Sequence, residues 1–559
     1  MDTKRFLLFV ALGLVSLMLW QNWQQEYASP AQTGRTTSAP SSGDDNTDAA
    51  PAEPDRSIPE LPAETADGRS EPEIVASSPA ESAEQIRVQT DVYELAISTA
   101  GGDIREAKLL EYPVSVKSPD DPYVLLTDAR PLLYVAQGGL LSEQPAPTHK
   151  SVYQAEQSEY VLDENESSLE VRLRWSDSNG LAVDKVYRFE RGSYAIDVRY
   201  EVSNNSSSDW RGWAYGQLLR NDPDGGGARL IYTYTGAALS SPDNRYDKIS
   251  FDDMRDKKLE RRTVDGWAAM LHHYFVTALI PANRDDEYRY YSLVVNRNTP
   301  DEAYAIGATT PAQTVAAGEQ KVLEHRLYIG PKLQHVLEDL APSLELTVDY
   351  GYLWFIAKPL FWILEKIHDL VGNWGWSIIL LTILIKLVFY RLSAAGYRSM
   401  AKMRRVQPRL LAVRERYAND KQRLNQAMMD LYKTEKINPL GGCFPILVQI
   451  PVFIALYWVL LESVELRQAP FILWLNDLSI PDPYFVLPLV MGVTMFIQQK
   501  LNPAPLDPVQ EKIMTALPIV FTVFFAFFPA GLVLYWVVNN VLSILQQWMI
   551  TRNLEANPA

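Results

Sequence analysis

Lys386 is the residue whose type and position most demand a chemical reason. It is the only charged side chain within five apolar runs that fill the C-terminal part of the chain. A lysine at the centre of a membrane helix costs roughly 2.5–3.5 kcal/mol on insertion scales. It therefore needs either a polar, wet surrounding or a stem long enough to reach headgroups from one turn inside the run. Thr382 lies four residues earlier, on the same helical face. In the last run Tyr535, Asn539, Ser543 and Gln546 recur at i, i+4, i+8 and i+11, with Trp536, Asn540 and Gln547 in the adjacent row. Gln449, Thr494 and Gln498 sit in two other runs and can line the same space. A polar stripe of this length is costly against lipid. It faces a partly hydrated cavity or hydrogen-bonds neighbouring helices into a bundle. The only intramembrane charge is positive and no acid stands in the runs. That suits an anionic or polar guest better than a proton relay or a cation path.

Other chemistries are excluded more simply. One cysteine, Cys443, rules out an intramolecular disulfide framework and any CxxC zinc or redox site. There is no GxxxxGK[ST] loop and no HExxH. Gly225, Gly226 and Gly227 follow Pro and Asp and read as a turn. His272 and His273 are tandem, so they point to different faces, and no spaced carboxylates accompany them. No metal, no cofactor and no enzymatic site is expected. The formal charge of −16, from 52 basic and 68 acidic residues, opposes direct sequence-specific binding of nucleic acid.

The elements that must position Lys386 and the polar stripe follow from patterning over 559 residues. Residues 1–23 form a predicted transmembrane anchor: Lys4 and Arg5 precede an apolar run from Phe6 to Trp20, and Trp20 and Trp23 suit an interface. A cleaved signal peptide is the alternative. Residues 24–85 hold eight prolines and a net charge of −10, the composition of a disordered linker. Residues 86–341 alternate with period two, as in Leu169, Val171, Leu173, Trp175 and in Ile196, Val198, Tyr200, Val202, which predicts a large β-sandwich. Leu333, Val336, Leu337 and Leu340 predict a closing helix. Residues 349–372 place Leu353, Ile356, Leu360, Leu364, Ile367 and Val371 on one face and Lys358, Glu365 and Asp369 on the other. That is an amphipathic helix lying in the membrane interface, or one packed on the sandwich. Spans follow at 374–390, 444–461, 484–499, 513–528 and 531–549, the last two joined by Pro529 and Ala530. Residues 391–443 contain a basic helical hairpin, with a net charge of +8 over 391–436. The positive-inside rule puts the hairpin in the cytoplasm and the acidic 462–483 loop outside. Six spans then leave both termini, including the short tail 550–559, in the cytoplasm and the sandwich outside. Met400, Met403, Met428 and Met429 with Arg404 and Arg405 form an adaptable partner surface on the hairpin, or the methionines zip its two arms.

Several ordered blocks carry a resemblance. NPLGGCFP (438–445) is followed by Gln449, Pro451 and Phe453. VDYG (348–351), GNWGWSI (372–378), SMAKMR (399–404), SVELRQAP (463–470), MGVTMF (491–496) and FPAGLVLYW (528–536) accompany it. Together they resemble the YidC membrane protein insertases along essentially the whole chain. The resemblance implies a multi-pass protein of the bacterial inner membrane: a helical bundle with a five-helix core and an all-β periplasmic supersandwich. It implies a groove open to the cytoplasm and the lipid, with no nucleotide hydrolysis. It maps the groove cation onto Lys386 and a nearby threonine onto Thr382. Substrate contacts map onto Gln449 and Phe453 and an aromatic pair onto Tyr535 and Trp536. The implied partners are nascent membrane proteins, the lipid bilayer, the Sec translocon, and the ribosome or targeting machinery at the hairpin. Three positions depart from the pattern: Lys386 where Arg is usual, Arg391 where Pro is common, and a tail, RNLEANPA, that is not basic. An anion transporter or channel, or a tethered periplasmic carbohydrate binder, are the competing functions on the residues alone.

Overall fold

The structure is a computed structural model that describes residues 57–60, 83–222, 233–417, 420–435, 444–502 and 508–556. The anchor at 1–23, most of the linker, the Gly225–Gly227 run, the Ala418–Asn419 turn, residues 438–443 with Cys443, and residues 557–559 lie outside these.

Period-two patterning becomes two sheets, of eleven and nine strands. At the centre of the smaller, Ala195–Asn204 pairs antiparallel with Leu181–Glu190 and with Gln320–Pro331. Its side chains alternate buried and half-buried along the strand, so one face enters the core. In the larger, Trp210–Asn221 lies between Tyr134–Ser142 and Ala303–Thr309. One pair, Gln85–Gln89 with Glu159–Val161, runs parallel. The domain adds a short helix, α1 (Phe251–Asp256), and the expected closing helix, α2 (Gln334–Leu340). One expectation needs correction: Ser57–Glu60, inside the predicted disordered linker, lies against the larger sheet, with Pro59 buried.

The C-terminal part is helical. α3 (Trp354–Val371) buries Ala357, Leu360, Phe361 and Leu364 and leaves Trp354, Phe355, Trp362 and Leu370 exposed. It starts five residues later than predicted, after a 3-10 turn at Gly351–Leu353, and its buried stripe includes Phe361 but not the exposed Val371. It packs on bundle helices, and Lys358 pairs with Glu338 of α2 at 3.3 Å. Gly372, at φ 68°, ends α3 in the left-handed conformation that glycine adopts without a Cβ clash. Asn373 then caps α4 (Trp374–Val388) by accepting from the Trp376 amide. α5 (Tyr390–Arg416) and α6 (Lys421–Thr434) are the two hairpin arms, zipped by Val406 and Leu410 against Met403, Met428, Leu431 and Tyr432. α7 (Phe444–Glu462), α8 (Val486–Leu501), α9 (Pro508–Phe525) and α10 (Ala530–Ala556) complete the bundle. The connection between the last two spans is longer than predicted, because α9 ends at Phe525. Among the described residues no single helix is both long and apolar enough to cross a membrane. α4 and α5 pass that test together, bent by 68°.

α10 is the axis of the bundle, packing on α4, α5, α7 and α8. The loop before α8 fixes its start: the Ala530 amide donates to Ile480 O at 2.8 Å and the Gly531 amide to Leu478 O at 2.9 Å. Asp482, predicted only as a topology charge, is 1% exposed and accepts from Trp474 Nε1 and from the Tyr484 and Leu487 amides, closing the N-terminus of α8.

The sandwich docks on the bundle through buried polar groups. Arg467 donates to Pro113 O at 2.7 Å and lies over the rings of Tyr123 and Phe275. His273 Nε2 meets Leu461 O at 3.0 Å, while His272 turns the other way, toward the Tyr123 hydroxyl. Lys332 and Glu462 are both buried in this joint. Desolvation lowers the Lys332 pKa, opposed by the fields of Glu462 and Asp349. Burial pushes the Glu465 carboxyl up to about 7.

Candidate functional site

The polar stripe of α10 meets α5, α7, α8 and α9 around one cavity of about 290 Å³. Its wall is amphipathic. Gln449, Gln498, Gln499, Asn502, Asn539, Asn540 and Ser543 supply amides and a hydroxyl. Ile450, Phe453, Met495, Met514, Leu517 and Trp536 supply apolar surface. Local sequence explains this split. In α10 the residues four apart point one way, and the positions between them are Val537, Val538 and Val541.

The amides are largely engaged with each other. Gln449 Nε2 donates to Asn539 Oδ1 at 2.8 Å, from α7 to α10. Asn540 Nδ2 donates to Thr494 Oγ1 at 3.2 Å, and Gln547 Nε2 to Asn502 Oδ1 at 3.0 Å, both to α8 or its end. Gln546 donates to Tyr390 O at 3.2 Å. The stripe thus lines a cavity and ties helices together. Three buried polar atoms on this wall or behind it, Trp536 Nε1, Gln499 Oε1 and Gln547 Oε1, have no partner among the described residues.

Lys386 points into the bundle, not out to the headgroups. It is 9% exposed, and its ammonium donates to Ser543 Oγ at 2.8 Å. Ser543 in turn donates to Asn539 O at 2.6 Å. The charge thus stands behind the cavity wall, one hydrogen bond from its surface. Thr382 is buried, donates to Ile378 O of its own helix at 2.6 Å and does not line the cavity. Phe453, Tyr535 and Trp536 form an aromatic corner: Phe453 stacks on Tyr535 at 6.1 Å and meets Trp536 edge-on at 4.7 Å.

The hairpin residues separate. Met400 lines the cavity. Met403 and Met428 pack between the arms, which is the zipping arrangement. Met429, Arg404 and Arg405 are exposed. Ser393, Gly396 and Tyr397 at the start of α5 also line the cavity. Sequence reasoning missed them because it assigned everything after residue 390 to a cytoplasmic hairpin. It missed Asn502 because it ended the span at 499. Small and polar residues following Lys386 of α4 into α5, at Ser393, Gly396 and Tyr397, were the available signal.

A family model described as the YidC periplasmic domain matches residues 85–363, and one described as the 60Kd inner membrane protein matches residues 366–557. A protein named membrane protein insertase YidC from Alkalilimnicola ehrlichii is 53% identical over 559 residues, covering all of this chain and 96% of that one. The protein of the same name from Methylococcus capsulatus is 50% identical and matched over the full length of both chains. The chain belongs to the YidC family of membrane protein insertases. The two family models meet between Ile363 and Lys366, inside α3, the helix that links sandwich to bundle. The cavity lies wholly within the second of the two matched regions. Among solved structures, an active YidC insertase with its first transmembrane domain resolved covers 83% of this chain and 92% of its own, at 17% identity and a TM-score of 0.38. A galactose mutarotase related enzyme from Lactobacillus acidophilus covers 44% of this chain at 10% identity and a TM-score of 0.31.

Proposed function

We propose that this chain inserts nascent membrane proteins into the bacterial inner membrane through the α10 cavity, which serves as the lipid-facing groove of an insertase. The single observation that carries the reading is the cavity wall. One side is amide and hydroxyl backed by the Lys386 ammonium, the other is Phe453, Trp536, Met495 and Leu517. A translocating polar tail meets the first, through Gln449, Asn539 and Ser543. The following apolar segment meets the second and passes to lipid. Thr382 acts here through the helix that holds Lys386, not by contact with the guest. Burial of the substrate's own apolar surface, at about 25 cal/mol per Å², drives the step, so no nucleotide is needed. Short, bent helices support a locally thinned barrier.

On this reading the chain crosses the membrane six times, first through the anchor at 1–23, and both termini and the α5–α6 hairpin stand in the cytoplasm. The sandwich stands in the periplasm and α3, with exposed Trp354, Phe355 and Trp362, lies in the outer interface. Exposed Met429, Arg404 and Arg405 offer the hairpin surface for the ribosome or targeting machinery, and the lipid-facing flank of the bundle is open to the Sec translocon. The test is photocrosslinking to a nascent single-span protein from Gln449, Phe453 and Tyr535, with the exposed Val493 and Val523 as controls. Labelling from the first three alone is expected. Labelling from the controls alone, or ion flux through proteoliposomes without substrate, overturns the reading.

A further inference from the structure

Ser57–Glu60 occupies a seat built for it on the larger sheet. Gly216 faces the smaller sheet, where a Cβ would meet His325 and Leu279. Side chains alternate along a strand, so Trp213, Tyr215 and Gln217 stand on the opposite, outward face. Cross-strand register puts Gln137 beside Gln217 and Leu141 beside Trp213 on that face. An outward sheet face is ordinarily solvated, yet Trp213, Tyr215, Gln217 and Tyr291 are all nearly fully buried.

The seat's polar groups are held by one another as well as by the segment. The Tyr291 hydroxyl donates to Gln217 Oε1 at 3.1 Å, which fixes the amide with Nε2 outward. Nε2 then donates to Ser57 O at 3.0 Å and to Gln137 Oε1 at 3.1 Å. The His149 amide donates to the Tyr215 hydroxyl, which also meets His149 Nδ1 at 2.7 Å. The other ring nitrogen, Nε2, lies 3.3 Å from Ser57 Oγ. At the other end Arg289, held by Glu260, donates to Glu60 O at 2.8 Å, and Lys258 pairs with the Glu60 carboxylate at 2.9 Å. Between them Ile58 packs on Leu141, Trp213 and Tyr215, and Pro59 is buried.

We propose that this seat is a peptide-binding site, filled in cis by Ser57–Glu60 and selective for a short hydroxyl–apolar–proline–acid segment. Every specificity element is present: a backbone carbonyl is read at each end, the apolar side chain by an aromatic shelf, and the acid by Lys258. The contacts are few and the ion pair is exposed, so occupancy relies on tethering. A tether supplies an effective concentration on the order of millimolar. A chain whose own segment is disabled therefore presents a vacant site to the same peptide in solution.

The test uses the full-length chain in detergent and a fluorescein-labelled peptide of residues 53–64. Fluorescence anisotropy should show the Ile58→Asp/Glu60→Gln chain binding the peptide at least ten-fold more tightly than the unaltered chain. The same peptide carrying Ile58→Asp should bind neither. Adding Lys258→Glu to the vacated chain should weaken the native peptide, and a Glu60→Lys peptide should recover the loss. Equal affinity of vacated and unaltered chains, no discrimination between the peptides, or no recovery by charge reversal each overturns the proposal.

Discussion

Replacing Lys386 separates the electrostatic part of the proposed mechanism from the rest. Its ammonium stands 2.8 Å from Ser543 Oγ, and Ser543 forms the cavity wall. A carboxylate accepted at that wall would lie roughly 5–6 Å from the charge. At an effective dielectric of about 20 the attraction is about 3 kcal/mol, and water in an open cavity reduces it to about 1–2 kcal/mol, a factor of roughly 5–30. Lys386→Met keeps the stem and removes the charge. Insertion of an acidic-tailed substrate should fall by that factor, and insertion of a neutral-tailed one should change little. Lys386→Glu reverses the sign and should roughly square the loss for acidic tails, while Lys386→Arg should retain insertion. Stability should move the other way. The ammonium meets a hydroxyl and not a carboxylate, so the neutral variant relieves a desolvated charge and should melt no lower. The assay is proteoliposome insertion of one substrate with paired acidic and neutral tails, read by protease protection. Equal insertion of both tails by all four chains refutes the electrostatic reasoning.

Gln449→Leu should destabilise the bundle by about 1–3 kcal/mol because Asn539 loses its partner, and the Gln449→Leu/Asn539→Leu pair should recover most of that in thermal melts. If the amides also receive substrate, the paired variant regains stability without regaining insertion. At Gly492 an added Cβ would stand 2.0 Å from Thr522 Oγ1, so Gly492→Ala should cost about 1–3 kcal/mol by forcing α8 from α9, and Thr522→Ala should rescue it. Burial raises the Glu465 carboxyl to about 7. The folded chain therefore holds a proton there that the unfolded chain releases above about 4.3, and stability should fall as pH rises between these values and level off beyond 7. Glu465→Gln should flatten that part of the melting profile, and an unchanged slope would refute the assignment.

Periodicity made most of the fold legible. Alternation in 169–175 and 195–204 became strands with one buried face, and the 3.6-residue spacing of Leu333–Leu340 became α2, because both patterns are set by burial alone. Lys386 and the α10 stripe were legible for the same reason: polarity inside an apolar run is costly, so its periodicity marks the face that is not against lipid. What failed to show was pairing across long sequence separations. Nothing in Glu462, Glu465 or Asp482 distinguishes a solvated loop acid from a buried one, since the partners that decide lie in the sandwich or in the turn that caps α8. Ser57–Glu60 was hidden more deeply. Its composition is that of a linker, and only the row formed by Trp213, Gln217, Gln137 and Tyr291, drawn from three strands, gives four residues somewhere to bind.

The engaged amides of the cavity constrain how a guest can enter on the proposed reading. Gln449, Asn540 and Gln547 already satisfy partners on other helices. A polar tail that takes any of these donors exchanges one hydrogen bond for another, with a net change well below the roughly 4–6 kcal/mol of an isolated bond. The wall can therefore hold a tail without trapping it. Trp536 Nε1 and Gln499 Oε1 are different: both are buried and have no partner among the described residues, so a guest whose entry uncovers them gains a bond and displaces none. Both residues line the cavity, and Trp536 also packs edge-on against Phe453. The first firm polar contact of an entering chain is thus expected where the aromatic corner begins, so that holding the tail and presenting the apolar segment happen at one place. Trp536→Phe keeps an aromatic ring, though a smaller one, and removes the donor. It should slow capture of the tail while leaving release to lipid unchanged, a separation that single-turnover insertion kinetics can read. An equal slowing of both steps would mean that the indole acts by packing alone.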